Sequence, residues 1–253
     1  MANAKFELTS ETTFFLGRTL HRIKALISFG SVKEGEVGGF VEKESNVDSG
    51  GDAWVSGDAL VYGNAKVYGD AKVSGDAKVS GDAKVYGNAK VSGDAWVSGD
   101  ALVYGNAKVS GNAKVYGDAK VSGDAKVSGD AKVSGNAKVS GDAWVSGDAL
   151  VYGNAKVSGD AKVYGDAKVY GDAKVTPINI TGLDYPVTIT DRHIKIGCEF
   201  HKFASWFSFS DEKILWMDGK RALAFWRTYR QALLSICETG RGYKHEATTD
   251  SAA

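Results

Sequence analysis

The 253-residue chain has 31 basic and 31 acidic side chains, so its formal net charge is zero, and 43% of its residues are hydrophobic. The balanced charge argues against a protein whose main task is to neutralise nucleic-acid phosphates, and equally against an acidic mimic of DNA. The apolar content is sufficient for a buried core, and two cysteines are too few for a disulfide framework.

Residues 1–50 are predicted to form a β-rich cap. The segment from Thr19 to Phe29 is rich in β-forming residues, and its apolar side chains, Ile27 among them, alternate as in a half-buried strand. Lys5 to Thr9 is expected to pair with it. Val41, Ser45 and Val47 have the aliphatic-small-aliphatic spacing of a degenerate first repeat. The first residues lack the apolar stretch of a signal peptide, so we expect a cytoplasmic protein without a membrane segment.

Residues 51–176 consist of 21 consecutive hexads, Gly-Asp/Asn-Ala-x-Val-x, without an insertion or deletion. Ala and Val are two positions apart, so both face the same side of a strand while the residue between them faces outward. Gly followed by Asp or Asn is typical of a corner. Three hexads make one triangular coil, and the array therefore predicts about seven stacked coils around a column of Val and Ala.

This pattern resembles that of the hexapeptide-repeat proteins, and the resemblance implies a left-handed, triangular, parallel β-helix. Many members of that family are acyltransferases that use a histidine as general base near a loop extruded from the coils. All four histidines of this chain lie outside the array, and no loop interrupts the hexads. An acyltransferase is therefore the least favoured interpretation, and we expect no enzymatic activity.

The outward aromatic residues of the array form two patterns. Tyr68, Tyr86 and Tyr104 follow one another at intervals of three hexads, which predicts a stack on one corner of three successive coils. Such a ladder is either a recognition surface or a by-product of repeat duplication. A longer unit, Gly-Asp-Ala-Trp-Val-Ser-Gly-Asp-Ala-Leu-Val-Tyr-Gly-Asn-Ala-Lys-Val, occurs three times, at intervals of seven and then eight hexads. Neither interval is a whole number of coils, so its tryptophans are predicted not to share one face: Trp54, Trp96 and Trp144.

Residues 177–240 are predicted to form a small α+β domain, and residues 241–253 a disordered tail. Tyr185 to Gly197 has the pattern of a hairpin that turns near Asp191. Ser210 is a candidate N-cap of a helix that Gly219 interrupts, and a second helix is predicted from Lys220 to Glu238, before Gly240. The aromatic and arginine residues of this region predict an oligomerisation or partner-binding surface: Trp206, Trp216, Trp226, Tyr229, Arg227 and Arg230.

Cys198 and His201 have the spacing of metal ligands, with His193 close in sequence. A structural zinc site needs four ligands, and Cys237 would have to be the fourth. A buried cysteine beside surface histidines is the simpler interpretation. We therefore predict neither a metal site nor any other cofactor.

The whole plan resembles a group of proteins encoded by bacteriophages and prophages. The resemblance is carried by Gly38-Gly39-Phe40-Val41 before the array, and by His193-Ile-Lys-Ile-Gly-Cys198 and the Gly-Lys-x-Ala-x-x-Phe-Trp helix after it. It implies a phage origin and the host bacterial cytoplasm, although the group brings no established activity.

The function favoured by these observations is a non-enzymatic scaffold that binds a host bacterial protein, for example to inhibit an antiphage defence. The alternatives are a virion or assembly component and a binder of a small molecule such as a nucleotide. Nucleic acid is not an expected partner. Homo-oligomers are expected, through either the C-terminal helices or the coil faces.

Overall fold

The computed structural model describes residues 4–169, 172–173, 177–180 and 182–244. The chain divides into two compact units, residues 1–175 and residues 176–253. The predicted disordered tail falls outside the described residues from position 245 onward.

Three strands form the N-terminal region: β1 (Phe6–Phe15), β2 (Arg18–Ala25) and β3 (Val37–Val41). β1 and β2 are an antiparallel hairpin, and β2 also pairs with β3 in the antiparallel sense. Strand β2 ends at Ala25, so the strand predicted over residues 19–29 is shorter than expected. Ile27, predicted to be half-buried, is 49% exposed because the chain leaves the sheet after Ala25. The chain turns back where Phe29 and Val32 exchange two backbone hydrogen bonds, of 3.0 and 2.8 Å.

The array is a solenoid of short parallel strands. β4 to β23 are two-residue strands, one in each hexad, from Trp54–Val55 to Lys168–Val169, and β24 is Asp172–Ala173. From β4 to β23, equivalent strands of successive coils pair in parallel, as Lys90 does with Lys108, whereas β24 pairs with β21 in a shifted register that places Asp172 opposite Lys156. These pairs build three sheets that run along the solenoid. The predicted parallel solenoid of about seven coils is thus confirmed, and its left-handed sense stays a prediction from the resemblance.

Ala and Val of the hexads fill the interior, as predicted. Ala89 and Val91 are completely buried, whereas Lys90 between them is exposed. Burial of each Val contributes roughly 1.5 kcal/mol. The glycines form the corners: Gly81 has a φ of 67°, and a Cβ added there would lie 2.9 Å from the backbone nitrogen of Gly99 in the next coil. Both the backbone conformation and the spacing of the coils therefore require glycine.

The solenoid begins before the regular hexads, as predicted for Val41 and Val47, whereas Ser45 is exposed and does not face inward like the Ala of a hexad. Val41 lies opposite Val61 in one sheet, and Val47 bridges in parallel to Val67 in another. A short 3-10 helix, Glu44–Asn46, precedes Val47. The segment therefore covers part of the strand edge that the first regular coil would otherwise expose.

Two buried polar side chains complete this end of the solenoid. The Asn46 amide donates hydrogen bonds to the carbonyls of Gly63 (3.2 Å) and Ala65 (2.9 Å). The Lys5 ammonium, whose residue is 2% exposed, donates to the carbonyls of Ala53 (2.8 Å), Asp48 (3.3 Å) and Gly50 (3.4 Å). Burial lowers the pKa of Lys5, and the nearby carboxylates of Asp48, Asp52 and Asp70 act in the opposite direction.

The C-terminal unit contains four strands and two helices: β25 (Ile178–Ile180), β26 (Val187–Ile189), β27 (His193–Ile196), β28 (Glu199–Lys202), α1 (Phe203–Ser208) and α2 (Asp211–Arg241). The strands form one antiparallel sheet, and the predicted hairpin is the β26–β27 pair. Ser210 caps α2 as predicted, because its hydroxyl accepts a hydrogen bond from the Lys213 backbone N–H at 3.3 Å. Helical geometry is broken at Asp218 and Gly219.

The second helical segment is longer than predicted. It continues through Gly240 to Arg241, and the left-handed C-cap is Gly242, with a φ of 66°. Gly242 donates its backbone N–H to the Glu238 carbonyl at 3.1 Å. The predicted end of the helix, before Gly240, was therefore wrong, because the glycine with the left-handed conformation lies further along the chain.

We expect Gly81→Ala to destabilise the solenoid by about 1–2 kcal/mol, because the new Cβ combines an unfavourable positive φ with a contact against Gly99. Asp82→Asn is the matched control, since the array uses both residues at this position of the hexad. The measurement is the urea denaturation midpoint, followed by far-UV circular dichroism. Equal midpoints for the two variants would contradict the role of the corner glycine.

We also expect Lys5→Met to loosen the first coil, because three backbone carbonyls lose a charged donor, and the one that belongs to Ala53 is buried. The cost is on the order of 1–3 kcal/mol. Hydrogen exchange should accelerate for amides of the first coils and stay unchanged in the later ones. Lys90→Met, which removes an exposed lysine, should leave exchange unaltered throughout. Unchanged exchange in Lys5→Met would show that the ammonium does not hold this end.

Candidate binding surfaces

The three tyrosines predicted to stack form a continuous ladder on one corner of the solenoid. The rings of Tyr68 and Tyr86 are 4.8 Å apart at an interplanar angle of 5°, and those of Tyr86 and Tyr104 are 5.0 Å apart at 4°. Each tyrosine directly follows a strand of the same sheet, so the spacing of the coils sets the spacing of the rings. The stacking predicted from the spacing in the sequence is confirmed.

The three residues of the ladder are half-buried. Burial raises the pKa of Tyr68. Burial also raises the pKa of Tyr86, and the adjacent Tyr68 and Tyr104 hydroxyls add to the increase. The Tyr68 and Tyr86 hydroxyls are therefore uncharged near pH 7 and can both donate and accept hydrogen bonds.

A cleft of about 900 Å³ adjoins the first ring of the ladder. Its lining includes the Tyr68 ring, two lysines and two carboxylates: Lys66, Lys84, Glu44 and Asp48. Ala4, Ser45, Val47 and Ser49 also line it. This cleft was not predicted from the sequence. The sequence feature that could have indicated an irregular surface here is the doubled glycine at 50–51, which interrupts the hexad pattern just before the array.

The tryptophans of the longer repeated unit occupy two different sheets. Trp54 and Trp144 lie in the same sheet, in β4 and β19, whereas Trp96 lies in β11 of the ten-stranded sheet. The prediction that the three tryptophans do not share one face is thus confirmed, although Trp54 and Trp144 share a sheet. The two intervals add up to fifteen hexads, which is a whole number of coils.

The first copy of this unit is the surface on which the N-terminal region packs. Trp54 is 3% exposed and contacts the Phe6 ring at 6.4 Å and the Phe29 ring at 5.5 Å. Trp144, its counterpart in the third copy, is 44% exposed. The Trp144 indole donates to the Ser128 hydroxyl of the preceding coil at 3.2 Å. The same unit therefore serves as a core surface at one end of the array and as a solvent-facing surface further along.

In the C-terminal unit, two of the predicted binding residues are core residues. Trp206 and Trp226 are 2% and 3% exposed, and their rings lie 5.2 Å apart. The Trp206 indole donates to the Ile194 carbonyl at 2.8 Å, so its polar group is satisfied inside the unit. Their burial supports a packing role, and neither ring is placed to contact a partner directly.

The remaining predicted residues lie nearer the surface. Trp216 is 88% exposed, on the first segment of α2. Arg227 donates two hydrogen bonds to the Asp211 carboxylate, at 2.5 and 3.1 Å. Two others pack within the unit: Tyr229 on the Phe225 ring at 4.8 Å, and Arg230 with a hydrogen bond to the Phe207 carbonyl at 2.8 Å. Of the predicted C-terminal set, Trp216 is thus the large apolar side chain that faces solvent.

The residues considered for metal binding and catalysis take other roles. His201 pairs with the Glu199 carboxylate at 2.8 Å, and the His21 ring nitrogen lies 3.2 Å from the Thr9 carbonyl. Burial raises the pKa of the Cys237 thiol to about 12. Cys198 is exposed. Within the described part of the chain, no three His, Cys, Asp or Glu side chains are grouped so as to hold a metal ion.

Comparison with protein families gives a local match. Residues 83–99 match the YdcK beta solenoid repeat, a stretch that contains three strands of the array. The match and the structure together support a repeat β-solenoid protein. A comparison with curated proteins gives no match. Over the described residues, no helix has the length and apolar character needed to cross a membrane.

The buried and the exposed tryptophan of α2 should respond differently to truncation. We expect Trp226→Ala to destabilise the C-terminal unit by about 3–5 kcal/mol, because it opens a cavity beside Trp206. Trp216→Ala should change stability by no more than about 0.5 kcal/mol. Thermal unfolding monitored by near-UV circular dichroism measures both variants. A large loss in Trp216→Ala would mean that this indole is packed in solution.

Proposed function

We propose that this chain is a non-catalytic binding protein, in which a rigid β-solenoid carries a C-terminal unit that docks on a protein partner through Trp216. The phage resemblance favours a host bacterial protein as the partner, and inhibition of an antiphage defence as the consequence of binding. The single observation that carries the proposal is the 88% exposure of the Trp216 side chain on an otherwise well-packed unit.

Trp216 has the properties of an interface hot spot. The neighbouring Leu215 is 40% exposed, so two large apolar side chains face solvent at adjacent positions. Tryptophan is enriched among the residues that dominate binding energy, because its large ring loses much contact with water when a partner covers it. A surface of this kind on a folded protein indicates an interaction site.

The helical segment that carries Trp216 is fixed at both ends. At its start, Ser210 caps the helix and Asp211 pairs with Arg227 of the following segment. At its end, the Asp218 carboxylate accepts a hydrogen bond of 2.5 Å from the Tyr185 hydroxyl. A side chain held on a rigid frame loses little conformational entropy on binding, which favours affinity.

The regular part of the solenoid is a poorer candidate for a specific protein partner. The fourth and second positions of its hexads are mostly Lys and Asp, with 15 of each, so the outward surface is balanced in charge and repeats every coil. A periodic surface offers a partner several equivalent registers. This supports a role of the rod as a support for the C-terminal unit, and it fits a scaffold that is not an enzyme.

Affinity capture from a bacterial lysate with the tagged full-length chain tests this proposal. A specific protein should be recovered with wild type and with Trp144→Ala, the matched loss of an exposed tryptophan in the solenoid. Trp216→Ala should weaken its binding by about 30-fold, the loss typical of a hot spot. Equal recovery with Trp216→Ala, or loss with both variants, would contradict the assigned surface.

A further inference from the structure

The turn of the N-terminal hairpin is strained and apolar. Its two-residue loop between β1 and β2 consists of Leu16 and Gly17, with positive φ angles of 47° and 77°. Glycine adopts this conformation readily, whereas leucine is disfavoured in it. Leu16 is also 68% exposed, and Phe14 is 75% exposed. Asparagine or aspartate suits such a turn better, so the stability of the hairpin alone does not explain these residues.

Strand β1 has a free edge beside this turn. It is the terminal strand of the ten-stranded sheet, and within the described residues it pairs only with β2. Because the loop has two residues, Phe15 and Arg18 form the hydrogen-bonded pair next to the turn, and the two kinds of pair alternate from there. The backbone N–H and C=O groups of Thr12 and Phe14 are therefore directed at the free edge.

The segment 12–15 is the unprotected part of this edge. Earlier in β1, a bulge lies between Leu8 and Thr12, and Glu7 and Glu11 carry charges. Bulges and charges are features by which natural edge strands avoid pairing with another chain. Segment 12–15, Thr-Thr-Phe-Phe, has no charge and no proline, and its pairing with β2 is regular. It therefore suits the addition of one more strand.

A second copy of segment 12–15 is a geometrically suitable strand. In an antiparallel pair with a two-fold axis at Thr13, Thr12 of one copy lies opposite Phe14 of the other. These are the residues whose backbone groups face the free edge, so they can exchange hydrogen bonds across the axis. The hairpin already contains the same kind of aromatic and β-branched pair, because Phe14 lies opposite Thr19.

The charges near the segment are compatible with this two-fold pairing. Glu11 of each copy would lie opposite Phe15 of the other, which separates the two Glu11 residues by four positions, or about 14 Å along the strands. This distance exceeds the screening length of about 8 Å at physiological ionic strength. The Glu11 carboxylate also pairs with Arg22 of its own copy at 2.7 Å. No like charges are therefore opposed.

We propose that this chain forms a two-fold dimer by antiparallel pairing of segment 12–15 with the same segment of a second copy, which covers the Phe14 side chain. The contact is small for a protein interface, so its dissociation constant is expected to be on the order of 100 µM. This surface is neither the C-terminal helices nor the coil faces. It lies in the N-terminal unit and is independent of docking through Trp216.

Sedimentation velocity of the full-length chain, from about 10 µM to about 1 mM, tests the dimer. Wild type should dimerise with increasing concentration, and Phe14→Lys should weaken dimerisation by at least about tenfold, because it places a charge at the paired edge. Ile27→Lys makes the same change at a 49% exposed residue outside the segment and should dimerise like wild type. A monomeric wild type over this range would overturn the proposal. Unchanged dimerisation in Phe14→Lys, or its loss in Ile27→Lys, would also overturn it.

Disulfide trapping tests the register in a Cys198→Ser background, since Cys198 is the exposed native cysteine. Thr13→Cys places the two thiols at the axis, in a non-hydrogen-bonded pair with Cα atoms about 4.5 Å apart, which a disulfide can bridge. Thr12→Cys is the control, because its Cα atoms would be more than about 7 Å apart. Mild oxidation and a non-reducing gel should show a covalent dimer for Thr13→Cys alone. A dimer in neither variant, or equally in both, would overturn the pairing.

Discussion

The structure depends on the close approach of successive coils at their corners. At Gly81 and its equivalents, the backbone of the next coil lies about 3 Å from the position of a Cβ, so a side chain there would separate the coils. This spacing places the residues of β4 to β23 directly beside their equivalents in the next coil. Like charges are therefore aligned, and two unit charges about 4 Å apart in water repel by roughly 1 kcal/mol. Asparagine relieves part of this repulsion. The Asn106 and Asn112 amides donate to the carboxylates of Asp124 and Asp130 in the next coil, both at 2.9 Å.

The same alignment decides which outward substitutions build a surface. A tyrosine repeated once per coil produces a stack, as at Tyr68, Tyr86 and Tyr104. A unit repeated after seven and then eight hexads instead distributes its tryptophans over two sheets, and their environments differ. Trp54 is covered by the N-terminal region, while Trp144 remains 44% exposed. Identical sequences thus have different roles according to their distance from the end of the solenoid.

The regular part of the fold could be predicted from the sequence because every hexad repeats the same pattern: a corner, two inward residues and one outward residue between them. The exceptions concern long-range packing. Ile27 continues an alternating pattern, yet the chain leaves the sheet before it. Gly240 is a plausible helix end, but Gly242 has the left-handed conformation. Trp226 and Trp216 are equally aromatic in sequence, and only the packing of α2 within the C-terminal unit buries the first and exposes the second.

A perfectly periodic solenoid has no unique site, because each coil presents the same surface as the coil before it. Specific recognition therefore requires a place where the repeat is broken. One such place is the segment before the first regular hexad, where a cleft is lined by Glu44, Ser45, Val47, Asp48 and Ser49. The buried Lys5 and Asn46 side chains hold this irregular end in place by satisfying carbonyls that no earlier coil can reach. The residues that cap the solenoid, together with their neighbours, are thus also the residues that make its end chemically distinct.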